Sequence, residues 1–230
     1  VTISGNIAHG NGGGGGIYLY NSNPTITKVN IIGNMALYGG GISLYYSNPI
    51  LRNIIINQNI GDSYGGGGIY LNYSNPIIIN TTIMANNGNS YYDYLNQYGG
   101  GIQLYYSNPI IVNTVIWDNN PASIYLFSGI EQPFITFSNM EGGWQGDGNI
   151  DTDPLFVDYD NGDYTLQEDS PCINAGTTYL EIDGEVIVDF DESEYIGTAP
   201  DMGAYEYNPL SIDKPVEILP IKYSLEYPYP

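Results

Sequence analysis

Hard oxygen donors alternate along one stretch of this chain. Asp147, Asn149, Asp151 and Asp153 occupy every second position, and Asp158, Asp160 and Asp163 follow shortly after. A Ca2+ ion takes about six to eight oxygens from a flexible loop, so these seven residues are candidate calcium ligands. Neither run matches the EF-hand loop, because the first lacks its glycine and the second misplaces it. An acidic, solvated turn whose Asp side chains cap their own backbone is the alternative reading. Nothing in the pattern makes calcium, or any other cofactor, a requirement.

Acid–base and nucleophilic chemistry have fewer candidates. A glycosidase needs two or three carboxylates converging on one surface. Before the acidic stretch the chain's aspartates are Asp62, Asp93 and Asp118, in different turns and at no repeated spacing. Lys28 and Arg52 are the only basic residues there to take a proton α to a carboxylate, and both sit in strand-like segments. His9 is the single histidine and has no Ser, Cys or Asp set beside it. Cys172, within SPCIN, reads as a small core residue, and one cysteine makes no intrachain disulfide. No catalytic constellation emerges, so the chain is expected not to be an enzyme.

Aromatic residues are the third chemical resource, with 24 tyrosines. Tyr18, Tyr45, Tyr46, Tyr70, Tyr73, Tyr105 and Tyr106 recur at related places, and Tyr91, Tyr92 and Tyr94 cluster in an insertion. Such rings could form a face that stacks on sugars or packs against another protein. They could equally be an outer ladder that stabilises stacked strands.

What positions these residues is a repeat. Four blocks align: GGIYLYNSNPTITKVNI from Gly15, GGISLYYSNPILRNIII from Gly40, GGIYLNYSNPIIINTTI from Gly67 and GGIQLYYSNPIIVNTVI from Gly100. Their prolines, Pro24, Pro49, Pro76 and Pro109, are separated by 25, 27 and 33 residues, the last step carrying the insertion NSYYDYLNQY. VTISGNIA at the start matches VNIIGNMA at Val29, so Val1 falls about halfway through a repeat. In each block Ile and Leu alternate with Tyr18, Ser43, Tyr70 or Gln103, a period of two that predicts a strand with its aliphatic face inward and those residues outward. A second β-branched run follows each proline, and a third lies in Ile54 to Ile56, Thr82-Ile83 and Val115-Ile116. Proline breaks a ladder and asparagine tolerates left-handed backbone, so each Ser-Asn-Pro predicts a sharp corner. The glycine tracts at 12–16, 39–41, 65–68 and 99–101 predict another corner, where side chains would crowd.

Short strands, fixed corners and a period near 25 residues predict an all-β fold, a right-handed, single-stranded parallel β-helix (a solenoid) of about five rungs, closed by an acidic C-terminal cap. Equivalent residues then stack as ladders. Asn23, Asn48, Asn75 and Asn108 are expected to bond amide to amide, and Tyr46, Tyr73 and Tyr106 to stack as rings. Asn53, Asn80 and Asn113 form a second asparagine series that Lys28 interrupts. Residues 1–138 are assigned to the rungs, 139–207 to a terminal rung and cap with Trp144, Phe156, Tyr164 and Leu166 as its apolar plug, and 208–230 to a linker towards an absent sorting domain.

Twenty-five acidic and four basic residues give a formal net charge of −21, which repels phosphate backbones. Nucleic acid is therefore excluded as a partner, and no apolar run is long enough to insert in a membrane.

The C-terminal motifs carry a resemblance. DPLFVD at Asp153, NGDYTLQEDSPCINAG at Asn161 and DMGAYE at Asp201 resemble the end of secreted bacterial parallel β-helix repeat proteins. Members of that family often carry surface-anchoring or sorting tails. IKYSLEYPYP is similar to the junction before a type IX secretion sorting domain. The resemblance implies export by a Gram-negative bacterium to the cell surface or medium, and it implies no defined activity. The expected role is a non-catalytic surface or matrix protein, acting by adhesion or by head-to-tail self-assembly into filaments. The alternative is a polysaccharide-binding module or a fragment of a carbohydrate-active enzyme, with an extracellular glycan as partner.

Overall fold

Each repeat supplies three short apolar segments and too few residues between them for anything but tight corners, so the chain can only coil. The computed structural model describes residues 1–9, 13–62, 65–88, 98–127 and 132–210. Expectations attached to Gly12, Tyr91, Tyr92, Asp93, Tyr94 and residues 211–230 lie outside the described residues.

Three parallel sheets result. The first stacks Ile17–Tyr20, Ile42–Tyr45, Ile69–Asn72, Ile102–Tyr105 and Ile124–Leu126. The second stacks Thr25–Thr27, Ile50–Arg52, Ile77–Ile79, Ile110–Val112 and Phe134–Thr136. The third stacks Thr2–Ser4, Asn30–Ile32, Ile55–Asn57, Thr82–Met84, Val115–Trp117 and Asn139–Met140. Ile17, Ile42, Ile69, Ile102 and Ile124 pair in one continuous register, so the ladder is the same on both sides of the insertion. The core is a column of aliphatic residues, among them Ile42, Leu44, Leu51, Ile56, Ile69, Leu71, Ile78 and Ile83, each fully buried.

The corners work by different means. At the glycine corner the next coil passes where a side chain would be: a Cβ on Gly41 would lie 2.6 Å from the Gly68 carbonyl oxygen, and one on Gly68 2.6 Å from that of Gly101. In the register of the first sheet, the last coil places Ala122 and Ser123 where earlier coils have glycine. At the Ser-Asn-Pro corner the residue before Ser is left-handed, with φ of 47° at Asn21 and 48°, 47° and 48° at Tyr46, Tyr73 and Tyr106. Lys28, Asn53, Asn80 and Asn113 occupy the next left-handed corner, with φ between 45° and 55°.

Two polar ladders hold the coils in register. In the exposed one, the backbone N–H groups of Asn48, Asn75 and Asn108 donate to the side-chain oxygens of Asn23, Asn48 and Asn75 at 2.6 Å. That corrects the expected amide-to-amide pairing: the side chains turn along the backbone of the following coil and satisfy its donors. The second ladder is buried. Asn34, Asn59 and Asn86 each donate through both backbone N–H and side-chain amide to the Oδ1 of the next member, Asn59, Asn86 and Asn119, at 3.0 Å. Their remaining amide hydrogens reach carbonyls of the core wall, Asn59 to Ile31 and Asn86 to Ile56. Buried amides satisfied on every side specify register as well as stability.

Two expectations need correction. Ser43, Tyr70 and Gln103 point away from the core but are buried, because the glycine corners fold back over the first sheet. The Gly99 N–H donates to Gln103 Oε1 at 2.7 Å, and the Tyr38 ring lies 5.1 Å from that of Tyr70. The acidic segment, in turn, caps the core only in its first part. The N–H of Phe137 donates to the Asp147 carbonyl, and Asn149 Oδ1 accepts from the Ser138 N–H at 2.9 Å, which closes the second and third sheets; Trp144 packs on the core. Residues 154–207 instead run back along the flank. Phe156, Tyr164, Leu166, Cys172 and Met202 bury the outward residues Ile55, Met84 and Val115 of the third sheet, and Val188 covers Ile79 and Val112 of the second. Four contacts pin this cover: Ala204 N–H to Thr82 Oγ1, Gly203 N–H to the Asn113 carbonyl, Thr177 N–H to Asn113 Oδ1, and the Arg52–Glu194 ion pair at 2.7 Å. Outward apolar residues on those two sheets demand a cover, which is why the segment lies on the side of the solenoid.

Candidate functional site

The recurring corner places its tyrosines in a row. Leu19, Leu44, Leu71 and Leu104 point inward, and two residues later the chain turns through left-handed backbone that projects Tyr46, Tyr73 and Tyr106 outward. Their rings stack nearly parallel, at 5.3 Å and 8° between Tyr46 and Tyr73, and at 5.1 Å and 9° between Tyr73 and Tyr106. Tyr73 therefore has a neighbouring ring on each face. Tyr20 meets Tyr46 edge-on at 6.5 Å, and Tyr105 meets Tyr106 edge-on at 4.7 Å. Phe127 extends the cluster from Tyr105 at 5.0 Å. Tyr46, Tyr73 and Tyr106 remain 53%, 46% and 44% exposed.

A bulky residue in left-handed backbone is uncommon and costs about 1–2 kcal/mol. Asn21 fills the same position in the first coil without that penalty. Three tyrosines in succession thus bring to the corner something that asparagine does not, namely an aromatic edge with hydroxyls repeated from coil to coil.

The other tyrosines separate from this row. Tyr18 is exposed and touches Tyr45 edge-on at 5.9 Å, and Tyr45 and Tyr105 are half-buried. Tyr70 is only 6% exposed, packed between Tyr38 and Tyr45, and out of reach of a ligand. Burial pushes the phenols of Tyr45 and Tyr70 above their usual range. Tyr20 and Phe127, which join the row, had a signal in the sequence: both stand beside the repeated leucine positions.

The alternating oxygen donors do not converge. Asn149 is spent inside the fold, its amide donating to the Ile135 and Trp144 carbonyls. Asp151 accepts from the Gly142 N–H, Asp153 from the Leu155 N–H, Asp163 from Thr165, and Asp158 from the Asn161 amide. Among the described residues no three of His, Cys, Asp and Glu come together around one point. Asp62 and Asp118 lie apart in separate turns, and His9 is exposed. Arg52 pairs with Glu194 and lies 4.4 Å over the Phe190 ring. Cys172 is buried, its sulfur accepting from the Asn139 amide at 3.2 Å, and burial pushes the thiol up to about 11. A thiol held there is inert at neutral pH.

Burial raises two carboxyls outside these series. Asp201 is buried and accepts from the N–H groups of Asn174 and Tyr207. Glu206 accepts from the N–H groups of Ile196 and Asp201, and its carboxyl is pushed up to about 7 by burial, with Asp201 adding repulsion. Both organise the flank cover, not the tyrosine row.

Stacked coils, continuous parallel ladders and an exposed aromatic corner define a parallel β-solenoid. The family model for the right-handed β-helix region matches residues 1–141, and the chain belongs to that family. Among solved structures, the chain is similar to pectate lyase Pel9A, at 16% identity and a TM-score of 0.35, over 90% of this chain and 70% of that one. No curated protein matches it.

Proposed function

We propose that this chain is a non-catalytic extracellular adhesion module, exported to the bacterial surface or matrix, whose contact surface is the tyrosine corner. The observation that carries this reading is the stack of Tyr46, Tyr73 and Tyr106, left exposed and held in backbone that disfavours tyrosine. Tyrosine suits such a surface, because it brings a large, rigid contact area and a hydroxyl at little cost in side-chain entropy.

Parallel stacking turns the ring edges and hydroxyls outward while neighbours cover the faces of Tyr73. Sugar stacking uses ring faces, so this geometry favours contact with another protein surface over a glycan. Two features also favour lateral contact over head-to-tail stacking. The Cβ atoms of Ala122 and Ser123 stand where a further coil would bring its backbone. A second copy pairing Ile17–Tyr20 onto Ile124–Leu126 would also set its Thr2–Ser4 level with Asn139–Met140 of the first.

Adsorption to protein-coated and polysaccharide-coated surfaces tests the proposal, with the same polysaccharides assayed for cleavage. Protein-surface binding that Tyr73→Asn weakens supports it. Glycan binding alone moves the chain to the polysaccharide-binding class, and chain cleavage would refute the non-catalytic reading.

A further inference from the structure

A hollow of about 150 Å3 lies where the start of the flank segment meets the outer face of the third sheet. Trp117 and Met84, neighbours across two strands, form its floor. Phe156 and Tyr159 form the facing wall, and Asp118 and Asp153 stand at the rim. The wall is held in place: Phe156 is 6% exposed and packs edge-on against Tyr164 at 5.8 Å, and Asp153 Oδ1 accepts from the Leu155 N–H at 2.9 Å. Both Asp side chains and Tyr159 are exposed, so the hollow opens to solvent.

We propose that this hollow binds a small organic cation of the trimethylammonium type. Trp117 and Tyr159 offer aromatic surface to methyl groups, backed by the nearly buried Phe156 and Met84, and the rings attract positive charge through their quadrupole. Two carboxylates supply the countercharge, within a chain whose net charge of −21 repels anions. A bare divalent ion fits poorly, because two carboxylates among aromatic rings fall short of the six or so oxygens it needs. The volume lies below the roughly 300–1,000 Å3 of sites for drug-sized ligands, so it admits a head group and leaves the rest of the ligand outside. Since Trp117 and Asp118 belong to the solenoid while Asp153 and Tyr159 belong to the flank segment, the bound cation joins the two. This inference is independent of the adhesion reading, which rests on another corner.

The test uses choline and its uncharged carbon isostere, dimethylbutanol. The chain's two tryptophans are Trp117 and Trp144, so a Trp144→Phe background leaves Trp117 fluorescence as the reporter, with calorimetry on the unmodified chain in parallel. Choline is expected to saturate in the millimolar range and to raise the melting temperature, and dimethylbutanol to do neither. Trp117→Leu is expected to weaken choline binding by about tenfold or more. Asp118→Asn keeps the left-handed backbone of position 118 comfortable, and combined with Asp153→Asn it should weaken binding by a similar factor without unfolding the chain. Equal binding of the two probes, or no binding of choline to a folded chain, would overturn the proposal.

Discussion

Replacing Asn86 by leucine, which is similar in shape and wholly apolar, isolates the contribution of the buried asparagine ladder. Asn86 Oδ1 accepts from the Asn59 backbone N–H and the Asn59 amide, and its own amide donates to the Ile56 carbonyl and to Asn119 Oδ1. After substitution, Asn119 Oδ1 keeps the backbone N–H of residue 86, and the Asn59 amide keeps its bond to Ile31. Two buried donors lose their partner, the Asn59 N–H and one Asn59 amide hydrogen, while the Ile56 carbonyl loses only a second donor and stays in the parallel ladder with the Thr82–Met84 strand. At about 1–3 kcal/mol for each unsatisfied buried group, the loss is about 2–6 kcal/mol, a large share of the whole stability of many domains. The exposed counterpart, Asn48→Ala, frees only a solvated N–H of Asn75 and should lose no more than about 1 kcal/mol. Urea unfolding followed by circular dichroism separates the two. Because solenoid repeats can unfold locally, hydrogen exchange at Asn59 and Ile56 should be read beside the global transition. Asn86→Leu no more destabilising than Asn48→Ala would refute the view that the buried ladder holds the coils together.

Gly41→Ala drives a Cβ to within 2.6 Å of the Gly68 carbonyl and should destabilise by about 1–3 kcal/mol, whereas Gly33→Ala, with open space around it, meets only the left-handed penalty of about 1 kcal/mol; melting curves of the pair decide. The flank segment should loosen as pH rises. Burial lifts the Glu206 carboxyl from about 4.5 to about 7, so its contribution is complete below pH 4.5 and is lost as pH climbs through 7. Proteolysis or exchange of residues 176–207 should accelerate between pH 5 and 8, and Glu206→Gln should flatten that profile; a cover that tightens over this window contradicts it. Glu194, lowered by the Asp191 N–H and by Arg52, has the opposite sign: its contribution is present above its usual range and is lost only as pH falls below it. Arg52→Ala should shift global stability by no more than about 1 kcal/mol, since the ion pair is half-exposed, while exchange near Phe190 increases.

The rungs were legible because a coil repeats itself. Ile at 17, 42, 69 and 102 and proline at 24, 49, 76 and 109 mark the same place in successive turns, and strand alternation separates inside from outside. Alternation does not say what covers the outside, which is why Tyr70 and Gln103 read as exposed and are buried. The flank cover joins Ala204 to Thr82 and Thr177 to Asn113, contacts far apart in sequence with no period to announce them. The buried ladder did leave a trace: Asn34, Asn59, Asn86 and Asn119 each stand two residues after the third strand of a repeat. Polar residues there read as loop, since only stacking shows that every amide finds a partner. At the candidate site, the row of Tyr46, Tyr73 and Tyr106 followed from the repeat, while its edge-on presentation depends on backbone angles that sequence does not give.

The proposed contact surface is tested most directly by adsorption isotherms of the wild-type chain and of the triple variant Tyr46→Asn, Tyr73→Asn, Tyr106→Asn on protein-coated surfaces. Asn21 is the model for these replacements, so the variant should keep its circular dichroism and its urea midpoint. The account predicts a folded variant whose adsorption falls by an order of magnitude or more. A folded variant that adsorbs as strongly as the wild type would contradict it.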